Sequence, residues 1–265
     1  MTTVYVPRDA VARALGSDEV AAALQSGADR RGAEIRLVRN GSWGMHWLEP
    51  LVEVDHDGGR HAFGPVRPAD VEALLEAGLV DGRAGDHPLA LGPTDELAWL
   101  VGQQRLTFAR VGRIDPLSTD DYLAHGGMVG LTRALEAGPQ AVVDRVTASG
   151  LRGRGGAGFP TGIKWQTVLD TPSDLKFVCA NADEGDSGTF ADRMLLEGDP
   201  FVLIEGMAIA AHATGATEGY VYLRSEYPGA VDTVRAAIEI SYAHGWLGED
   251  VLGRGLRFDL HLRVG

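Results

Sequence analysis

Ser149-Gly-Leu-Arg-Gly-Arg-Gly-Gly-Ala-Gly-Phe-Pro-Thr-Gly-Ile-Lys-Trp165 is the stretch whose reading decides the fold. Six glycines are interleaved there with Arg152, Arg154 and Lys164. Glycine carries no Cβ and tolerates positive φ, so such a backbone can lie flat against a ligand. Exposed main-chain N–H groups beside cations form a cradle for phosphate. Phe159 and Trp165 flank the loop and suit packing against a planar ring. Gly153, Gly155 and Gly158 satisfy Gly-x-Gly-x-x-Gly, but the dinucleotide turn needs a strand before that motif. Here Val142, Val143 and Val146 fall at helical spacing just upstream, so this is not a Rossmann phosphate turn. A Walker A loop is excluded because Ile163, not lysine, follows Gly162. The bland alternative is a basic glycine loop that binds nothing.

Downstream of the loop, residues 164–169 begin a helix and residues 176–180 form a compact apolar strand. That strand runs straight into Asn181-Ala-Asp-Glu184, a polar cluster where ligands of open α/β sheets gather. Residues 201–214 read as a helix buried on most faces, 219–223 as a strand and 230–244 as a long helix. Residues 257–264 read as a third strand alternating at Phe258, Leu260 and Leu262. Strand–helix–strand–helix–strand predicts a mostly parallel sheet with right-handed crossovers.

Upstream, residues 3–6 are of β type, and residues 10–29 carry Val11, Leu15, Val20 and Leu24 on a helical stripe that Ser17 or Asp18 interrupts. Residues 34–39 suggest a strand, and 51–55 with 60–63 a hairpin around Asp57-Gly58-Gly59. Residues 68–78 predict a short helix stopped by Gly78. Residues 82–93 read as linker, 94–100 as a short helix, 106–112 as a strand or extended crossing, and 120–125 as the start of an acidic helix. Residues 131–137 and 139–148 form two helical pieces, the second opening on Pro139. The predicted division is a small domain at 1–92, a linker at 93–127 and a binding domain at 128–265.

The formal net charge of −13 leaves no basic surplus to displace counterions from nucleic acid. The cations of the glycine loop are then a local exception, which favours a specific anion site. Cys179 is the only cysteine, which excludes a disulfide or an iron–sulfur centre built from these residues and suits a reducing, cytoplasmic setting. No run approaches the roughly 20 apolar residues of a membrane span. The eight histidines show no metal-ligand spacing, so no metal site is expected, and His212 and His261 read as core residues. Cys179 reads as a core residue too.

Further motifs follow the loop in order: Cys179-Ala-Asn-Ala-Asp-Glu-Gly-Asp-Ser-Gly-Thr-Phe190, Ile204-Glu-Gly-Met207 and Tyr222-Leu-Arg-Ser-Glu-Tyr227, with Tyr122-Leu-Ala-His-Gly-Gly127 ahead of it. Together they resemble the NADH-binding flavoprotein subunits: the FMN subunit of respiratory complex I, the diaphorase subunits of NAD-linked hydrogenases and the beta subunit of NAD-dependent formate dehydrogenase. The resemblance covers roughly residues 128–265 and implies a Rossmann-like α/β FMN-binding domain. It implies that Gly153, Arg154 and Gly155 approach the flavin and that Gly156, Ala157 and Gly158 complete the loop. Phe159 would stack on the nucleotide and Lys164 would touch the flavin. Asn181, Asp183, Glu184 and Gly185 would complete that side, with Glu226 close by. Asp186 stands where complex I members carry Glu and would accept NAD(H) ribose hydroxyls with a shorter reach. Asp183 and Glu184 have a plainer reading as a helix-capping pair, and Glu226 as part of a strand-end turn. No catalytic acid or base is assigned, because hydride transfer to a flavin needs positioning only.

The order β-α-β-β-β-α of residues 1–92 resembles the thioredoxin-like domain that partners the flavin subunit in this family. There, four cysteines hold a [2Fe–2S] cluster. Pro7 to Asp9 and Asn40 to Gly44 stand where ligands belong and contain none, so a cluster-free scaffold is expected. Related subunits continue beyond the position of Gly265 with more of the flavin site and a [4Fe–4S] domain, so a truncated or split form with weak or absent FMN binding is expected. The resemblance implies partners: an iron–sulfur or molybdenum alpha subunit and a thioredoxin-like gamma subunit. Its first reading is the formate dehydrogenase beta subunit, with a complex I or hydrogenase flavin subunit, or a catalytically silent assembly module, as alternatives.

Overall fold

A computed structural model describes residues 1–186 and 188–265. The chain divides into two compact units, Met1–Ser118 with Glu197–Asp199, and Thr119–Leu196 with Pro200–Gly265. Residues 93–118, expected as linker, therefore group with the first unit.

The first unit runs β1 (Thr2–Tyr5), α1 (Ala10–Ala14), α2 (Ser17–Arg30), β2 (Ile35–Val38), β3 (Val52–His56), β4 (Gly59–Phe63), α3 (Val71–Glu76), β5 (Ala90–Pro93) and α4 (Ala98–Val101). Its sheet has the order β2-β1-β3-β4-β5. β1 and β2 are parallel and the remaining pairs antiparallel, which is the thioredoxin-like arrangement. Val20 and Leu24 of α2 pack with Val4, Val52, Val54 and Leu74 in its core. Gly16, at φ 98, separates α1 from α2, and Asp9 caps α1 by accepting from the Val11 amide at 2.9 Å. Residues 90–93, expected as linker, instead pair with β4 as the edge strand. Residues 106–112 are turns and not a strand. The chain there wraps a guanidinium: Arg105 donates to the Phe108, Val111 and Trp43 carbonyls.

The segments that would carry cluster ligands are filled by a buried polar network. Asn40 Nδ2 and Trp43 Nε1 donate to Glu53 at 3.1 and 2.9 Å, and Ser42 Oγ donates to Glu49 at 2.6 Å. Burial, with Asp9 next, pushes the Glu49 carboxyl up to about 8.

The second unit runs α5 (Thr119–Ala124), α6 (Val129–Ala137), α7 (Pro139–Ala148), α8 (Thr161–Asp170), β6 (Phe177–Ala182), α9 (Ala191–Gly198), α10 (Pro200–Thr214), β7 (Glu218–Leu223), α11 (Pro228–Ala243), β8 (Gly248–Val251) and β9 (Leu256–Val264). The sheet order is β6-β7-β9-β8, with β6, β7 and β9 parallel and β8 an antiparallel edge. The parallel core is the one the alternation predicts; β8 is too short to show a period. Within the Ile204-Glu-Gly-Met207 motif, buried Glu205 accepts from the Tyr122 hydroxyl and, at 2.9 Å each, from the Met128 and Leu131 amides. That motif thereby fastens the start of α6 to α10. Cys179, expected in the core, is exposed, because β6 turns residues 177, 179 and 181 outward. His261 is half-buried with its ring 5.2 Å from that of Tyr220. His212 is also half-buried, and burial pulls its pKa down.

Gly162 sets the crossing of α7 and α8. A Cβ there would lie 2.2 Å from Thr147 Oγ1 and 2.7 Å from Thr147 Cα. Rotation of the threonine cannot relieve the second contact. Gly162→Val is expected to cost about 1–3 kcal/mol, read as a lower urea midpoint at unchanged slope. An unchanged midpoint would show that the two helices can part without cost.

Candidate flavin-binding site

The glycine loop joins two helices, α7 and α8. Its base is closed by an antiparallel bridge between Arg152 and Pro160. The Gly153 amide donates to Phe159 O and the Thr161 amide to Leu151 O, each at 2.9 Å. Arg152 Nη1 donates to Gly158 O at 2.9 Å, so this arginine braces the loop from inside. Above that base, the amides of residues 154–159 donate to no protein group among the described residues. The side chains of Arg154 and Lys164 are exposed and form no ion pair there, and Phe159 is 50% exposed.

The glycines of the loop are glycine for different reasons. Gly156 (φ 104) and Gly158 (φ 60) adopt the left-handed backbone that disfavours side chains. Gly155 does not, and a Cβ built on it meets nothing within 4 Å. Neither backbone conformation nor packing within the protein demands glycine at 155.

The second cluster lies at the C-terminal end of the parallel strands. The register Asn181↔Tyr222 and Ala182↔Leu223 sets residues 183–186 beside residues 224–227. Asn181 Oδ1 accepts from the Asp183 amide at 3.1 Å as the chain leaves β6. Asp183, Gly185 and Asp186 are exposed. Ser187 of the same motif lies outside the described residues.

Glu184, expected from the resemblance to complete the flavin side, has its carboxylate engaged elsewhere. It accepts from the Ala191, Asp192 and Arg193 amides at 2.8, 3.2 and 3.3 Å and from the Tyr227 hydroxyl at 3.2 Å. The capping reading therefore describes this side chain: it satisfies the free amides at the start of α9. Glu226 is likewise engaged. Arg224 Nε and Nη2 each donate to it at 3.0 Å, and this fork holds the Glu226 carboxyl down at about 2. Arg224 Nη1 donates to the Glu184 carbonyl. Arg224 lies in the Tyr222–Tyr227 motif, but the sequence assigns it no role of its own; its signal is the Arg-x-Glu spacing directly after a strand.

The structure thus presents two clusters in one unit: a loop of bare amides with two exposed cations, and a strand-end loop with two exposed carboxylates. No hydrogen bond, ion pair or ring contact joins them among the described residues. No group of histidine, cysteine, aspartate or glutamate suited to a metal ion occurs among those residues. The amide cradle, Arg154, Lys164 and the half-exposed Phe159 ring fit the phosphate and flat ring of FMN.

The second unit is thus an α/β domain whose glycine loop and strand-end loop are both exposed. Residues 146–264 match the family described as the Nuo51 FMN-binding domain. The chain is 50% identical over 163 residues to the NADP-reducing hydrogenase subunit HndC of Solidesulfovibrio fructosivorans, covering 62% of this chain and 33% of that protein. It is 48% identical over 147 residues to an NADH-quinone oxidoreductase subunit of Aquifex aeolicus, covering 56% of this chain and 34% of that protein. It is 43% identical over 226 residues to the NAD-reducing hydrogenase HoxS subunit alpha of Cupriavidus necator, covering 84% of this chain and 36% of that protein. The chain spans about a third of the length of the curated relatives it matches.

Proposed function

We propose that this chain is part of a flavoprotein subunit of diaphorase type, which passes electrons between FMN and NAD(H) within a multisubunit dehydrogenase. The observation that carries this reading is the bare amide cradle of residues 154–159 around Gly155, a glycine the protein itself does not require. The loop amides, Arg154 and Lys164 receive the phosphate. Phe159 offers a ring face. Asp183 completes the flavin side with Asn181, and Asp186 accepts NAD(H) ribose hydroxyls. When bound, FMN supplies the hydride and electron chemistry. The protein's share is orientation, which by itself lowers such barriers by several kcal/mol.

The electron donor is read on another polypeptide. One relative, aligned with most of this chain, is a subunit of an NAD-reducing hydrogenase, which supports a hydrogenase-type partner. Formate as donor, supplied through a molybdenum subunit, is the second reading, favoured by the fused first unit and the wording of the 183–190 motif. A flavin subunit of NADH:quinone oxidoreductase type is consistent with the similarity to the Aquifex aeolicus protein. No helix among the described residues is long and apolar enough to cross a membrane, which fits the proposed cytoplasmic setting.

Titration of the purified chain with FMN and with riboflavin, followed by flavin fluorescence, tests the reading. FMN is expected to bind at least about tenfold tighter than riboflavin, because the loop amides and cations act on the phosphate. Equal binding of the two favours the silent assembly module.

A further inference from the structure

One side chain at the C-terminal edge of the parallel sheet holds two loops at once. Arg224 leaves β7 with its Nε and Nη2 locked in a fork on Glu226, both at 3.0 Å. This leaves Nη1 aimed across the strand ends at the Glu184 carbonyl, to which it donates. The Arg224 guanidinium also lies 5.3 Å from the centre of the Tyr227 ring, and the Tyr227 hydroxyl donates to the Glu184 carboxylate. Glu184 is thus held three ways: by its carbonyl to the exit of β7, by its carboxylate to the start of α9, and by Tyr227. Asp183 and Asp186 hang on either side of this node, exposed, with no hydrogen-bond partner for their carboxylates among the described residues.

We propose that Arg224 is a positioning residue for the nucleotide site: by fastening the Glu184 carbonyl, it fixes the 183–186 loop so that Asp183 and Asp186 are presented to the ligand. The inference rests on the flavoprotein reading above and adds to it a residue that touches no ligand. Two free carboxylates on a loose turn lose affinity, because the turn must be ordered each time a ligand binds. A node fixed beforehand removes that cost. Glu226 has a part in this: by occupying one edge of the guanidinium, it fixes the direction in which Nη1 meets the Glu184 carbonyl. Arginine is needed because a lysine ammonium cannot hold a planar fork on Glu226 and reach a carbonyl in a fixed direction.

The test uses the full 265-residue chain, with Arg224→Ala and Arg224→Lys. FMN affinity is measured by fluorescence titration, stability by urea unfolding, and loop order by amide exchange in the peptide containing Asp183 to Asp186. Arg224→Ala is expected to weaken FMN binding about tenfold and to speed exchange of those amides, with the unfolding midpoint nearly unchanged. Arg224→Lys is expected to fall between, and millimolar guanidinium is expected to restore part of the affinity of Arg224→Ala. Unchanged affinity and exchange in Arg224→Ala overturn the proposal alone. So does an affinity loss that tracks a lowered midpoint and resists guanidinium, which marks a merely structural residue. An unsubstituted chain that binds FMN no more tightly than riboflavin overturns the flavoprotein reading and this proposal with it.

Discussion

Valine in place of Gly155 is expected to weaken FMN binding by about 100-fold while the unfolding midpoint stays within error of the unsubstituted chain. The two halves of this expectation have separate causes. Gly155 has no left-handed backbone, and no protein atom lies within 4 Å of its ideal Cβ, so the fold tolerates a side chain there. A flat ligand lying on the bare amides of residues 154–159 does not, because a branched side chain lifts it beyond hydrogen-bond reach. Gly162, in the same loop-to-helix stretch, makes the control. Its Cβ would strike Thr147, so the same substitution there lowers stability by packing alone. Gly156 would be a poor choice, since its φ of 104 mixes backbone strain with any steric effect. A Gly155→Val chain that still binds FMN like the unsubstituted one would remove the loop from the site.

The contrast between these glycines marks how far the sequence carries. Glycine density and interleaved cations were visible, and so was the helix ahead of the loop, since Val142, Val143 and Val146 report a 3.6-residue period. The parallel strands were legible because each is a short apolar run ending in polar residues, and the β-α-β-β order of the first unit for the same reason. What spacing cannot show is where a side chain's hydrogen bonds go. Glu184 and Asp183 are adjacent carboxylates of similar appearance, yet one is buried against four donors and the other is exposed. That difference follows from the position of α9 relative to β6, a tertiary fact. The role of Arg224 escaped notice for the same reason: its partner is a main-chain carbonyl forty residues away in sequence. The misplacement of Cys179 has another origin. Runs such as Phe177–Ala182 are expected to be buried on both faces in a parallel sheet, whereas here alternate residues face outward.

The stability of the first unit is expected to fall as pH rises from about 4.5 to about 8, and Glu49 is the reason. Its carboxyl is buried and receives the Ser42 hydroxyl at 2.6 Å and the Leu51 amide at 2.9 Å. Burial outweighs these donors, and the like charges of Asp9 and Glu53 add to it, so the folded-state pKa is raised from 4.5 to about 8. Below the unfolded value, both states hold the proton and the contribution to stability is complete. Between the two values, the unfolded chain releases a proton that the folded chain keeps, so each pH unit costs about 1.4 kcal/mol. Over the whole window the loss is on the order of 5 kcal/mol, and above pH 8 it levels off. Glu53, wholly buried and also raised chiefly by burial, pulls in the same direction. The lowered carboxyl of Asp18, held by Arg39, acts at lower pH, below its ordinary value of 3.8, and does not mask the trend. Urea unfolding at pH 5, 6, 7 and 8, followed by amide exchange in peptides of the first unit, measures the slope. Glu49→Gln keeps an acceptor for the Leu51 amide and carries no proton to lose, so it is expected to flatten the profile and to exceed the unsubstituted chain in stability at pH 8. If the profile keeps its slope in Glu49→Gln, the buried proton resides elsewhere in the Asp9–Glu49–Glu53 network.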